Sequence, residues 1–233
     1  LLRDLQRELK EDVSADTVFE ARRQSRRAAD RAENYLNSRG YFAPLISYAV
    51  EPGTPPVGQV RIEPGPKFEL SSVELDTGDT ALSDDAEQAL DRVRTLSPGD
   101  AAIPSAILAE EAGLIAALKA VGYAETSALP RDVIGDRQNG TLALTYNLQP
   151  GARVRLGDTV YSEGTRTRRV YLDRLIPYEP GALYSPQTLS AFARRLNSTR
   201  LYRFSNVQLA DAPSRITEEG DEVRDVVVQL EER

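Results

Sequence analysis

The chain has 233 residues, of which 40% are apolar and 28% are charged, a composition typical of folded globular protein rather than of a disordered chain. It contains no histidine, cysteine, methionine or tryptophan, which excludes disulfides, zinc or copper sites and any catalytic triad that uses histidine. No apolar run reaches the roughly 18 residues that a membrane-spanning helix requires.

The net charge of −7 is concentrated in the middle of the chain. Residues 68–151 carry 5 basic and 14 acidic side chains, whereas the flanking segments each have a net charge of +1. Because binding to nucleic acid requires a basic face, this distribution argues against nucleic acid as a partner. The lack of cysteine is compatible with an oxidising compartment.

The first predicted elements are two helices, followed by strands near residues 45–50 and 58–63. The second helix carries arginines on one half of its surface when residues are placed about 100° apart, namely Arg22, Arg23, Arg26, Arg27 and Arg31. Its opposite half carries Ala21, Ala28, Ala32, Tyr35 and Leu36. The arginines form either a solvated face or a face that docks to an acidic partner or to anionic lipid headgroups.

The middle of the chain shows the element order most clearly. Alternation predicts a strand over residues 67–76, and Ser83 with the acids that follow it predicts a helix start. That helix is expected to end at Pro98-Gly99, and a second is expected from about Pro104 to a left-handed Gly122. Strands near 128–134 and 141–148 complete a β-α-α-β-β order. Alternation in the last strand places its apolar residues on one face, namely Leu142, Leu144, Tyr146 and Leu148.

The last third of the chain predicts the same order. A strand over residues 153–162 precedes helices over 166–178 and 185–201. Closing strands are expected over 204–210 and 223–232, with the polar segment 213–222 as the turn between them.

These three parts of the chain repeat one another with a period of about 82 residues. Gly40-Tyr41 and Gly122-Tyr123 lie 82 residues apart, as do Pro98-Gly99 and Pro180-Gly181. We therefore predict three tandem modules, at residues 1–66, 67–151 and 152–233, in an α+β fold where each module packs two helices on a three-stranded mixed sheet. The opening strand of the first module is expected to be missing from this chain. Pro-Gly seams at 64–67 and 150–153 predict short extended connectors, too short for free tumbling, and hence a bent rod.

Three tandem β-α-α-β-β units resemble POTRA domains, the periplasmic modules of the Omp85 family of outer-membrane assembly proteins. The segments that carry the resemblance include LNSRGYF at 36–42 and LKAVGYAET at 118–126. The third unit is similar to the final POTRA domain of TamA-like members, whose motif falls here on Gly181, Tyr184, Pro186, Leu196, Thr199, Phe204 and Val207. One departure is that the Gly-aromatic pair is replaced by RLYRF in the third unit.

The resemblance implies a non-enzymatic role in the periplasm of a Gram-negative bacterium, attached to the outer membrane through a C-terminal barrel that is not in this chain. The expected partners are that barrel, a TamB-like inner-membrane-anchored protein, and unfolded outer-membrane protein or autotransporter clients. No cofactor, metal or catalytic residue is expected. The alternatives are a BamA-type or two-partner-secretion transporter, and a structural scaffold of the division-protein type.

The candidate peptide-binding sites follow from the same resemblance. In the POTRA order the second strand of each unit lies at a sheet edge, where unpaired N–H and C=O groups can accept an extended peptide. The residues expected on these edges are Leu45, Ile46, Tyr48, Val50, Leu129, Val133, Phe204, Val207 and Leu209.

Two acidic groups invite a metal-binding interpretation. Asp84, Asp85 and Glu87 open a helix, so we interpret them as complements of the helix dipole. The acids within 217–225 surround a glycine but lack the regular alternation of a calcium loop, and they fall where a hairpin turn is needed.

Overall fold

The computed structural model describes residues 4–5, 15–163 and 165–232. The helix expected ahead of the arginine-rich one lies outside these residues, apart from Asp4 and Leu5. In the described part of the first repeat (residues 1–66), one long helix precedes an antiparallel hairpin. These elements are α1 (Val18–Ser38), β1 (Leu45–Glu51) and β2 (Val57–Glu63).

Helix α1 begins where Thr17 accepts the backbone N–H of Glu20, the usual role of an N-cap threonine. Its buried residues recur at helical spacing, at Ala21, Ser25, Ala29, Ala32 and Leu36. These small side chains let the helix approach the hairpin closely, and Ser25 lies directly against Gly58 of β2.

The second repeat (residues 67–151) has the predicted β-α-α-β-β order with one strand divided in two. Its elements are β3 (Glu69–Asp76), α2 (Asp84–Val93), α3 (Pro104–Ala120), β4 (Ser127–Ala128), β5 (Asp132–Asp136) and β6 (Thr141–Gln149). The strand order is β3-β6-β4, and β5 also pairs with β6. The break between β4 and β5 contains Pro130, which has no N–H to donate to a sheet. The predicted alternation along β6 is confirmed, since Leu142, Leu144, Tyr146 and Leu148 are all buried.

The third repeat (residues 152–233) has the same order with a short extra strand in its last turn. Its elements are β7 (Val154–Tyr161), α4 (Arg169–Asp173), α5 (Pro186–Ser198), β8 (Tyr202–Leu209), β9 (Arg215–Ile216) and β10 (Glu222–Glu232). Strand β10 runs parallel to β7 and antiparallel to β8, so the sheet is mixed. Phe192 and Leu196 of α5 pack against Leu156, Val226 and Val228 of this sheet. The predicted α+β class, with helices packed on mixed sheets, is therefore confirmed.

Two predicted helices are shorter than expected. Helix α2 was expected to reach residue 96 but ends at Val93, and the N–H of Leu96 instead donates to the carboxylate of Glu110 at 2.7 Å. Helix α4 was expected over 166–178 but covers only Arg169–Asp173. Pro177 disfavours helical backbone at the residue before it, which opposes extension of α4.

Left-handed residues end the long helix of each repeat. Gly40 follows α1 with φ +88° and Gly122 follows α3 with φ +108°, which confirms the predicted role of Gly122. In the third repeat Arg200 takes this position after α5, with φ +58°. The sequence motif is missing there, but the backbone conformation is kept.

The two Pro-Gly seams connect different sheets, as the sequence predicted. The prediction that they are extended was wrong, because Gly65 and Gly151 have left-handed φ values of +72° and +75°. No helix or strand covers residues 64–68 or 150–153, and the strands on either side of each seam pair with other partners. Each seam brings the first strand of one repeat to the left-handed glycine of the preceding repeat. Phe68 donates its N–H to the carbonyl of Gly40 at 2.9 Å, and Val154 donates to that of Gly122 at 2.8 Å.

The described chain divides into two compact units, and the division runs through the second repeat. One unit takes in the described residues of 1–74, 96–110 and 131–145, and the Gly40–Phe68 hydrogen bond lies within it. The other takes in those of 75–95, 111–130 and 146–233, and the Gly122–Val154 hydrogen bond lies within it. The module boundaries at residues 67 and 152 stay a prediction.

Candidate polypeptide-binding edges

The first strands of the second and third repeats have part of their outer edge covered. In the second repeat, Leu70 of β3 exchanges backbone hydrogen bonds with Gly99 and Asp100 at 2.8 and 2.7 Å. In the third, Leu156 of β7 does the same with Gly181 and Ala182 at 2.7 and 2.8 Å. The Pro-Gly segment between the two helices of each repeat therefore caps the first strand.

The second strands carry no such cover within the described ranges. Strands β1, β5 and β8 each pair with a single neighbour, namely β2, β6 and β10. In an antiparallel pair, alternate residues direct their N–H and C=O groups away from the partner strand. These three strands therefore present unpaired backbone groups, the feature needed for addition of an extended peptide.

The predicted edge residues differ in how exposed their side chains are. On β1, Leu45 and Tyr48 are exposed, whereas Ile46 and Val50 are half-buried. In the second repeat Val133 lies on β5, but Leu129 lies in the break before it and bonds β6 through its N–H to the carbonyl of Asn147.

On β8 the three predicted residues do not share a face. Val207 and Leu209 pack against the core of the third repeat, whereas Phe204 is 52% exposed. A register shift between Glu231 and Glu232 of β10, opposite Phe204 and Tyr202, changes the alternation there. The core face therefore continues through Tyr202 and Val207, and Phe204 is directed away from it.

The edge at β5 borders an apolar groove. The groove has a volume of about 490 Å³ and separates β5 from the start of α3. It is lined by Pro104, Ile107 and Leu108 from the helix, by Phe42, Phe68 and Leu142, and by alternate residues of the edge, namely Arg131, Val133, Gly135 and Arg137.

The sequence interpretation missed most of this groove. Phe42 precedes the seam and Phe68 follows it, and their rings meet edge to face with centroids 5.6 Å apart. Such proximity across the seam is not visible from spacing alone. One signal was available, since a glycine inside a strand pattern can mark close approach by a ligand or another backbone, and Gly135 is such a residue.

The predicted arginine face is present on α1. Arg22, Arg23, Arg26 and Arg27 are exposed, and Arg31 is half-buried. Phe19, which is 75% exposed, precedes the arginines by helical spacing and lies on the same side. Within the described residues, no carboxylate forms an ion pair with the four exposed arginines.

Ion pairs surround the start of β7 and β10. Arg153 contacts Asp85 at 2.6 Å and Arg155 contacts Asp221 at 2.6 Å. Arg224, whose side chain is 8% exposed, contacts both Glu125 and Glu222 at 2.6 Å. The hydrogen bond from Ser83, with the charge of Arg153, holds the pKa of Asp85 below its ordinary value.

The acidic residues considered above as possible metal ligands have other positions in the fold. Asp84, Asp85 and Glu87 occupy the first turn of α2, as predicted. Across the part of the chain that the structure describes, no group of three acids is arranged to hold a metal ion. None of the described helices combines the length and apolar character needed to cross a bilayer.

No family model matches this chain, and no curated protein matches it either. Solved structures of POTRA domains do match. BamA POTRA domains 3–5 of Haemophilus influenzae align with all of this chain and 91% of their own at 19% identity, with a TM-score of 0.53. BamA of Haemophilus ducreyi lacking POTRA domains 1–3 aligns with 71% of this chain and 30% of its own at 16% identity, with a TM-score of 0.55. At these identities the likeness shows the fold, which is that of the POTRA domains of BamA.

Proposed function

We propose that this chain is a periplasmic region of a TamA-like outer-membrane protein of the Omp85 family, built of three POTRA modules. It binds extended segments of outer-membrane protein or autotransporter precursors and guides them toward the outer membrane. The observation that carries this proposal is the contrast between strands: the first strands β3 and β7 are capped, whereas β1, β5 and β8 keep one edge unpaired in the described chain.

Strand addition suits a protein that handles many clients. The added strand is held mainly by backbone hydrogen bonds, which every sequence except proline can supply. Side chains contribute selectivity only where the sheet edge borders a pocket. Edges without a pocket therefore accept diverse unfolded segments, and the edge with a groove adds selection.

A cross-linking experiment tests the proposal, because a chain without cysteine allows a single reactive position to be introduced. A photoactivatable group is attached to Val133→Cys or Phe204→Cys and exposed to an unfolded outer-membrane protein. Glu69→Cys is the matched control, since Glu69 is exposed on a strand whose edge is capped. We expect the client to attach at the two edge positions and not at the control. Equal yields at all three positions would contradict strand addition.

The proposed partner of the arginine face is a TamB-like protein anchored in the inner membrane. Arginine and exposed aromatic side chains are the residues enriched at protein interfaces, and Phe19 lies beside Arg22 and Arg23. An acidic surface on the partner would match this composition.

A BamA-type role is the second candidate, favoured by the alignment with BamA POTRA domains 3–5 along the whole chain. The two candidates predict different gene contexts. A neighbouring gene for a very long β-rich protein supports the TamA-like role. Additional POTRA modules encoded upstream, without such a neighbour, support the BamA-type role.

A further inference from the structure

Gly135 leaves space in the groove beside β5, although the backbone conformation at this position does not require a glycine. Its φ does not lie in the left-handed region, and an added Cβ would meet only the ring of Phe68, at the ordinary contact distance of 3.9 Å. A Cβ atom would thus be accommodated there without a clash. Because residue 135 has no side chain, half-buried Phe42 and buried Phe68 line the groove beside the strand edge.

The groove is apolar in its centre and cationic at both ends. Along β5 the residues that line it alternate, in the order Arg131, Val133, Gly135 and Arg137. Asp132 and Asp136 fall on the opposite face by the two-residue period of a strand. The carboxylate of Asp136 is already occupied by the backbone N–H groups of Gln138 and Asn139 and by the side-chain amide of Asn139.

This placement of charge contrasts with the segment around it. Residues 68–151 contain 5 basic and 14 acidic side chains, and two of those five basic residues line this one groove. An anionic occupant would therefore be favoured at the ends of the groove, although the surrounding segment is strongly acidic. The volume of about 490 Å³ lies within the roughly 300–1,000 Å³ of ordinary ligand pockets.

We propose that the β5 groove selects extended polypeptide segments in which two apolar residues at alternate positions are flanked by acidic residues, in the pattern acid-x-apolar-x-apolar-x-acid. This inference rests on the proposed function, since the segment pairs with the free edge of β5. Arg131 and Arg137 are six residues apart, about 20 Å along a strand, and a seven-residue extended segment has the same span. The pattern is symmetric, so either direction of pairing places acids beside the arginines and apolar side chains over Val133 and Gly135.

The other two edges differ from β5 in what packs beside them. On β8 the side chains of Val207 and Leu209 pack against the core of the third repeat. In the first repeat, helix α1 lies close to β2 through Ser25 and Gly58. Selection by side chain is therefore assigned to the β5 edge, where the groove lies.

Peptide binding to the 233-residue chain tests the inference by fluorescence anisotropy. The probe is a labelled, end-blocked peptide Glu-Thr-Phe-Thr-Leu-Thr-Glu, and its matched control has the same composition with the acids moved onto the opposite face. A third peptide replaces both acids by lysine. We expect the patterned peptide to bind at least about tenfold more tightly than either of the others.

Three variants locate the site. Gly135→Val fills the groove, keeps the chain folded and is expected to weaken the patterned peptide about tenfold. Arg137→Glu leaves one cationic and one anionic end, and is expected to abolish the preference for the patterned peptide over the lysine peptide. Arg194→Glu, on an exposed position of α5, makes the same charge change elsewhere and is expected to have no effect.

Each outcome decides one of the two proposals. Equal binding of patterned and control peptides, with client cross-linking still present at Val133→Cys, would overturn the selectivity and leave strand addition standing. Patterned binding that Gly135→Val and Arg137→Glu do not change would also overturn it. Displacement of the peptide by decanoate alone would assign the groove to amphiphiles and overturn it as well. Loss of cross-linking at every edge would instead overturn the proposed function.

Discussion

The carbonyl oxygen of Gly122 accepts the backbone N–H of Val154 at 2.8 Å, and the pair Gly40 and Phe68 repeats this bond at 2.9 Å. In both cases the acceptor is a left-handed residue just after a helix, and the donor is at the start of the next repeat's first strand. A second hydrogen bond to the same donor residue also recurs. Ala102 donates its backbone N–H to the carbonyl of Phe68, and Tyr184 donates its own to the carbonyl of Val154. The 82-residue repeat thus preserves the connection between repeats as well as the elements within them.

Replacing Gly40 by alanine tests the steric demand of this connection. A Cβ on Gly40 would lie 2.9 Å from the carbonyl oxygen of Ala102, which is backbone and cannot move aside easily. Gly220 has the same φ of +88°, with open space around it. We expect Gly220→Ala to cost about 1–2 kcal/mol of unfolding free energy from backbone strain alone. Gly40→Ala should cost more in urea unfolding, and equal losses would contradict the steric account.

Arg200 invites the opposite substitution. It is exposed and holds φ +58°, a conformation that costs a residue with a Cβ more than glycine. We expect Arg200→Gly to raise the free energy of unfolding by about 0.5–1 kcal/mol, after allowing for the greater entropy of glycine in the unfolded chain. Arg194→Gly, within helix α5, should instead cost about 1 kcal/mol. Destabilisation by Arg200→Gly would show that its side chain has a structural role.

Local chemistry explains what was predictable in the fold. Gly122 could be predicted as a helix terminator because few other residues adopt its φ. Strand β6 could be predicted because apolar residues, which are buried in the structure, recur at every second position along it. Arg200 shows the limit of that reasoning. The third repeat keeps the left-handed conformation but lacks the glycine from which it could have been predicted.

Non-local contacts explain what was missed. Helix α2 stops early because Glu110 on the next helix takes the N–H of Leu96, a contact that helix propensity cannot reveal. Tyr202 joins the core face of β8 with Val207, although alternation alone places it with Phe204 on the opposite face, because the register shifts against Glu231 and Glu232. The β5 groove likewise depends on Phe42 and Phe68 meeting across the seam.

The pair Arg224 and Glu125 tests how much an ion pair contributes between residues 99 positions apart. The side chain of Arg224 is 8% exposed and that of Glu125 is 57% exposed, so solvent screens the contact only in part. A double-mutant cycle with Arg224→Met and Glu125→Gln should give a coupling of about 1 kcal/mol. Arg61 and Glu63, 83% and 61% exposed, are the control pair and should couple by less than about 0.5 kcal/mol. Similar couplings in both cycles would show that burial of Arg224 adds nothing.

Asp85 should make the free energy of unfolding depend on pH in the acidic range. Its pKa is held below the ordinary 3.8 by the Ser83 hydrogen bond and by Arg153, so folding favours the charged form. That contribution is fully present above the unfolded pKa and is lost as the pH falls through the lower folded value. We expect the stability difference between the native chain and Asp85→Asn to shrink in urea unfolding as the pH drops from about 7 to about 3. A stability difference that stays constant over this pH range would contradict the assignment.

Charge reversal on α1 tests the proposed docking face. The triple variant Arg22→Glu, Arg23→Glu and Arg26→Glu should weaken binding of the TamB-like partner by at least about tenfold, because attraction to an acidic surface becomes repulsion. Its affinity should also depend less on salt between about 50 and about 300 mM. Arg194→Glu, Arg203→Glu and Arg215→Glu together make the same net charge change at exposed positions of the third repeat and should leave binding unchanged. An unaltered affinity and salt slope in the α1 variant would refute docking there, and loss of binding to anionic vesicles instead would reassign the face to lipid headgroups.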